Sequence, residues 1–264
     1  MLRTALAILL ASIATAASAQ APVVPTPQRD WQLTLGGTVG VVPKYEGSSN
    51  YELRPLPYID ASYKDLIFVR GLAAGANLVT VRGPRPGDGL RMGPILRYGF
   101  GREESDDEAL RGLGDIDDAI EIGAFASYSS GPWVADLQLV KDVAGGHEGV
   151  LADAGIAWRT GITPRMRLTV RASTSWADDT HMQNVFGISA AQSARSGLPV
   201  HDAGSGFKNV GLALTLGYGL TQNWSVSGRV GYSRLVGDAA DSPIVEDRGA
   251  KNQVSTFLTL AYEF

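Results

Sequence analysis

The sequence predicts an all-β protein: a transmembrane, antiparallel, up-and-down β-barrel of about twelve strands that follows a cleaved signal peptide. Three observations carry this expectation. Segments of about ten residues alternate apolar and polar side chains, the period of a tilted strand with one face in lipid. The connections between them alternate short and long. The chain closes on LTLAYEF, where Leu258, Leu260, Tyr262 and Phe264 share one face and Thr259, Ala261 and Glu263 the other.

The N-terminus reads as an export signal. Arg3 is a short basic region, residues 4–15 are an apolar run too short to span a bilayer, and Ala17-Ser18-Ala19 gives the small-x-small cleavage pattern. The expected organisation is a signal peptide over 1–19, a periplasmic segment over 20–31 that includes APVVPTPQRD, and the barrel over 32–264. There is no cysteine, so an exported chain of this kind relies on its own fold rather than on disulfides. A closed barrel does this, because every strand finds neighbours and no edge is left. With 23 basic and 27 acidic residues the chain gives no reason to expect nucleic-acid binding.

Strands are expected near 32–42, 52–63, 66–72, 75–82, 90–100, 119–129, 132–142, 150–160, 165–176, 207–220, 223–235 and 252–264. Short turns at Lys64-Asp65, Ser130-Gly131, Gly161 to Pro164 and Thr221-Gln222, with a Gly/Pro turn from Gly83 to Gly89, suit the periplasmic side. The longer connections 43–51, 101–118, 143–149, 177–206 and 236–251 suit the external side. Tyr98, Tyr128, Trp133, Trp158, Tyr218 and Trp224 fall near strand ends, where aromatic girdles meet the lipid interface.

By alternation the inward face carries Arg54, Asp60, Arg91, Arg97, Glu121, Asp136, Asp153, Arg159, Arg165, Arg167, Arg171 and Arg229. Both signs are present, which favours ion pairing in a largely filled interior over a wide channel. The same arginines leave open a narrow, anion-selective pore.

No catalytic constellation is expected, and neither a metal nor another cofactor. The three histidines, His147, His181 and His201, lie in external loops without HExxH spacing, and no GxSxG elbow is present. The acidic run EESDDEALRGLGDIDD lacks the spaced ligand frame of a calcium loop and reads as solvated charge. GDAADSPIVE, with Gly237, Asp238, Asp241, Ser242 and Pro243, reads as a loop-shaping turn at the barrel mouth.

Four stretches in order are similar to the MipA/OmpV family, also called MltA-interacting proteins. They are PKYEGSSNYELRPLPYIDASYKD, with Tyr45, Glu46, Gly47 and Ser48; GREESDDEALRGLGDIDDAIEIGAF; FGISAAQSARSGLPVHDAGSGFK; and RLVGDAADSPIVEDRGAKNQVSTFLTLAYEF. The last ends in Tyr262 and Phe264, which resemble the C-terminal signal of outer-membrane barrels handled by the barrel-assembly machinery. The resemblance implies a Gram-negative outer-membrane protein in contact with outer-membrane lipid and lipopolysaccharide. It further implies a non-enzymatic scaffold for a lytic transglycosylase and a penicillin-binding protein in peptidoglycan synthesis. Other members of the family are linked to osmotic adaptation, adhesion and antibiotic response, so pore and surface-adhesion roles stand as alternatives.

Overall fold

The computed structural model describes residues 30–264; the expected signal peptide and nearly all of the N-terminal segment lie outside the described residues. The strands are β1 (Trp31–Pro43), β2 (Tyr51–Tyr63), β3 (Ile67–Arg70), β4 (Ala73–Ala76), β5 (Val79–Arg82), β6 (Gly89–Gly99) and β7 (Ala119–Ser130). They continue with β8 (Trp133–Asp142), β9 (Val150–Thr163), β10 (Met166–Ala177), β11 (Gly206–Gly219), β12 (Trp224–Leu235) and β13 (Asn252–Glu263). Sequence neighbours pair antiparallel, β1 closes on β13, and β4 and β5 both pair with β6. β4 and β5 are therefore two halves of one strand, and the thirteen pieces make a closed barrel of twelve.

The split has a cause in β6. Tyr98 N–H donates to the Leu72 carbonyl, so the even-numbered residues of β6 point their main-chain groups toward β4 and β5. Pro94 has this parity and no N–H to give. The ladder runs Gly75↔Ile95 and resumes at Val79↔Met92, with Asn77 turned aside to the Leu66 and Asp65 carbonyls. A continuous strand expected over 75–82 is thus corrected to two short ones around a proline-opposed bulge.

Alternation decides which face is which. On β13, Gln253, Ser255, Phe257, Thr259 and Ala261 are buried, while Leu258 is 62% exposed and Leu260 47%. An exposed apolar face on most strands, with Leu212, Leu214, Leu137, Leu139, Ile120 and Ile122 among its members, is the lipid-facing band of a barrel that spans a membrane. Trp133 stands opposite Trp158 in the β8–β9 ladder, and Trp224, Tyr262 and Phe264 form a chain of edge-to-face rings at the turn end. These aromatics mark one rim, where amphipathic rings favour the interface.

The long connections do not extend as free loops. They carry two 3-10 turns (Glu104–Asp106 and Glu108–Leu110) and four short helices, α1 (Asp179–Phe186), α2 (Ala190–Ser196), α3 (Gly237–Asp241) and α4 (Pro243–Glu246). Met182, Phe186, Ala239, Ala240 and Val245 bury against Val140, Leu151, Ala177 and Leu235 of the upper inner wall. Above them Tyr45, Leu110, Leu113, Ile188, Leu198 and Ile244, all from loops, form a second cluster. Burying such side chains contributes about 1.5–3 kcal/mol each, enough to hold the loops as a cap over the mouth.

Candidate functional site: the capped lumen

The cap is tied by residues of the two motif loops. Glu46 receives the Lys208 ammonium at 3.0 Å, and Gly47 takes φ 97° where an added Cβ would meet Val245 at 2.6 Å. Ser48 bridges to Gly249. Gly237 also has positive φ, and Asp238 accepts the Gly204 N–H at 2.8 Å. The Ser242 hydroxyl, fully buried, donates to the Phe186 carbonyl at 2.6 Å, and Pro243 opens α4 at its first position, where a missing N–H costs nothing. Asp241 and Glu246 pair with Lys251 on the surface, so the acids of GDAADSPIVE do not reach the lumen arginines. The serine hydroxyl thus serves a neighbouring helix rather than its own turn.

The acidic run is also folded on itself. Glu104 accepts the Gly112 and Gly114 N–H groups, which hold its carboxyl below the ordinary range. Asp107 accepts from Ala109 and Asn50, and Asp118 accepts from Gly101. These are backbone-capping carboxylates in a structured loop, not the solvated run the sequence predicted. Among the described residues no group of three or more His, Asp or Glu is placed to hold a metal ion.

Beneath the cap a buried network crosses the lumen. Arg97 donates through Nε to Glu121 at 2.8 Å, and through Nη1 to Asp153 at 2.6 Å and Gln138 at 3.0 Å. Gly149 N–H donates to His147 Nδ1, so the Nε2–H of His147 donates to Glu121 at 3.0 Å. His181 packs edge-on to His147 with ring centres 4.4 Å apart, and its Nε2 lies 3.3 Å from Lys208 Nζ. Lys208 is fully buried because the β10–β11 register slips by one residue between Ser175↔Asn209 and Trp176↔Phe207. The bulge turns inward a lysine that strict alternation puts among lipid-facing positions.

Burial, with help from Lys208, His147 and Arg97, pushes the His181 pKa well below its ordinary 6.5. A histidine held neutral in the fold stabilises fully above its unfolded pKa, and that contribution falls as pH drops through 6.5. The groups around it are Lys208 from β11, Glu121 from β7, His147 from the β8–β9 loop, Glu46 from the first motif loop, and Asp178 at the start of its own helix. The expected result is a cap that loosens as pH falls below 6.5, by at most about tenfold in its opening equilibrium per pH unit. Hydrogen exchange of α1 amides between pH 7 and 5 checks this, with His181→Asn flattening the response.

Two chambers flank the network. The upper one, of about 120 Å³, lies among Val42, Phe100, Arg102, His181, Lys208 and Phe257. The lower one, of about 150 Å³, lies toward the turn end among Arg70, Asp136, Arg159, Arg171, Arg229 and Thr259. There Arg171 holds Asp136 through both carboxylate oxygens at 2.5 and 2.6 Å, and Arg70 approaches Asp60 at 3.8 Å. Gly155 makes the first pair possible, since a Cβ there falls 2.1 Å from Arg171 Nη2. Gly155→Val should displace Arg171, strip Asp136 of its partner and cost about 1–3 kcal/mol in urea unfolding.

The remaining positions of the sequence-expected set divide by height. Arg54 is 1% exposed, pairs with Glu52 and lies 5.3 Å from the Phe100 ring centre. Arg91 pairs with Asp65 at the rim at 3.2 Å, and Arg167 is exposed just above it. Arg165 is not on a strand: β9 runs on to Thr163, so Pro164-Arg165 is the turn and the arginine faces solvent. Alternation missed His147, His181, Arg102 and Lys208, because loop placement and bulges carry no period.

A family model described as "MltA-interacting protein MipA" matches residues 35–264. MltA-interacting proteins of Escherichia coli (strain K12) and Shigella flexneri are each 26% identical over 234 residues, covering 88% of this chain and 90% of theirs. Among solved structures, NanC porin aligns at 9% identity and TM-score 0.45 over 87% of this chain and 100% of its own. KdgM porin aligns at 7% identity and TM-score 0.41 over 88% and 99%.

Proposed function

The chain belongs to the MltA-interacting protein MipA family of outer-membrane β-barrels, and from that premise we propose that it is a non-enzymatic scaffold for murein-synthesis enzymes. In this reading it holds a lytic transglycosylase, and with it a penicillin-binding protein, on its periplasmic side. The observation that carries the reading is the capped and cross-linked lumen. Loop clusters and the Arg97–Glu121–Asp153 network occupy the path a solute would take. A barrel filled in this way offers partners its surface rather than its interior. The names of the E. coli and Shigella relatives support the transglycosylase as one partner.

The periplasmic connections are short, which narrows where an enzyme can grip. The connection between β5 and β6 is the longest of them, carries Arg85 and Asp88, and is pinned to its neighbour by the Gly131 N–H on Asp88 at 2.7 Å. Its rigidity lowers the ordering cost of binding. The test is biolayer interferometry of the barrel in nanodiscs against a purified lytic transglycosylase. Saturable binding absent from an unrelated barrel, and weakened at least tenfold when 83–88 is replaced by a two-residue Asn-Gly turn, is expected. Equal binding to both barrels sinks the scaffold reading.

A further inference from the structure

The barrel wall is incomplete on one side. β2 pairs with β1 along its whole length but with β3 only from Asp60 to Tyr63. From Tyr51 to Tyr58 its other edge has no ladder partner, because the β3–β4 hairpin turns back at Gly71-Leu72. The Ile59 carbonyl accepts the Gly71 N–H, so residues of that parity aim their main-chain groups at the gap. Two of them are Pro55 and Pro57, which have no N–H to leave unpaired. An open edge in lipid is strongly unfavourable, and prolines at alternate positions are how such an edge is made tolerable. The Pro-x-Pro strand thus marks a lateral notch between β2 and β6. Leu53, beside it, is 66% exposed.

Behind the notch stands Phe100. With Leu56 and Leu72 it packs against the buried pair Val42 and Phe257, which line the upper chamber. The chamber is apolar along Val42, Phe100, Leu235 and Phe257 and cationic at one end. Arg102 is 6% exposed there, donates through Nη1 to the Val185 carbonyl at 2.8 Å, and leaves its Nε without a partner. His181 Nδ1 is likewise buried and unpartnered. Lys208 adds a second cation, and Glu46 is the acid that faces the pair, with Asp117 more exposed at the margin. A buried guanidinium nitrogen without an acceptor is costly, and a carboxylate would satisfy it.

We propose that the upper chamber binds a small amphipathic carboxylate, with its head on Arg102 and Lys208 and its chain along Val42, Phe100 and Phe257, admitted from the membrane through the β2–β6 notch. The chamber volume, about 120 Å³, takes the head and the first few carbons of the chain, and the rest of an eight-carbon acid runs out toward the notch. Arg102 selects the carboxylate over a cation, and the apolar wall selects an acyl chain over acetate. Phe100 is the side chain that must turn for entry. Nothing in this assignment depends on the scaffold reading.

The experiment is isothermal titration of the barrel in zwitterionic-lipid nanodiscs with octanoate, octanol, octyltrimethylammonium and acetate. Octanoate is expected to saturate at one site, while the other three show only non-saturable partition or no signal. Arg102→Met should weaken octanoate at least tenfold. Ser255→Trp, which fills the chamber from β13, should abolish binding, and heat-shifted gel mobility confirms that each variant is a folded barrel. Leu72→Trp enlarges the hairpin tip that bounds the notch, outside the chamber lining, and should slow association at least fivefold in stopped-flow mixing. Octanoate that never saturates, or that binds both chamber variants as well as the parent, overturns the site. An unchanged association rate in Leu72→Trp overturns the lateral route.

Discussion

Arg97→Met is expected to lower the unfolding free energy of the barrel by about 3–5 kcal/mol. Arg97 and Glu121 are 5% and 1% exposed, and the guanidinium is shared among Glu121, Asp153 and Gln138. Removing the cation leaves two carboxylates of one inner wall, from β7 and β9, without their shared counter-ion, and His147 reaches only one oxygen of Glu121. The cost comes from the uncompensated charge, not from the lost volume, since methionine fills similar space. Arg97→Met combined with Glu121→Gln and Asp153→Asn should therefore recover most of the loss. Urea unfolding in lipid vesicles, followed by tryptophan fluorescence, gives both values. A triple variant no more stable than the single one would mean that the network stabilises by geometry rather than by charge balance.

Excising 180–204 and joining the ends with a short Gly-Ser link is expected to turn a silent barrel into a conducting one. The segment removes most of α1 and all of α2, and with them Met182, Phe186, Ile188 and Leu198 from the two cap clusters. It also removes His181, the Phe186 carbonyl on which Ser242 rests, and the Gln192 and Arg195 contacts to the 101–118 loop. The remaining loops lose the surface they pack on. The lining left behind carries more arginines than free carboxylates, so the opened pore should favour anions. Planar-bilayer recordings should show unitary steps and an anion-leaning reversal potential in a salt gradient. A silent excised barrel that is still heat-modifiable would place the block lower, in the Arg97 network alone.

The barrel was legible because lipid on one side and a packed lumen on the other impose a period of two on every strand. Leu258, Leu260 and Tyr262 against Phe257, Thr259 and Ala261 show it directly. Strand number was legible from turn chemistry for the same reason. The departures are at positions where one residue breaks the period. Pro94 splits its neighbour into β4 and β5, and the β10–β11 bulge turns Lys208 inward; neither changes composition or hydropathy. Of the charges expected inside, Arg54, Arg97, Glu121 and Arg229 are buried, whereas Arg167 is exposed and Arg165 sits in a turn that came one residue later than expected. The cap was not legible. Its apolar residues, such as Tyr45, Leu110, Ile188 and Ile244, are spread over four loops and meet only in the folded chain. His147 and His181 looked like surface-loop histidines for that reason and are instead buried ring to ring.

Single-channel recording of the unmodified protein is the most direct test of the central claim, that the loops and the Arg97 network close this barrel. Folded, heat-modifiable protein inserted in a planar bilayer at pH 7 and 1 M KCl should give no unitary current steps at moderate voltage. Regular, reproducible steps that scale with the amount of inserted protein would contradict the closed lumen, and with it the observation on which the scaffold reading rests.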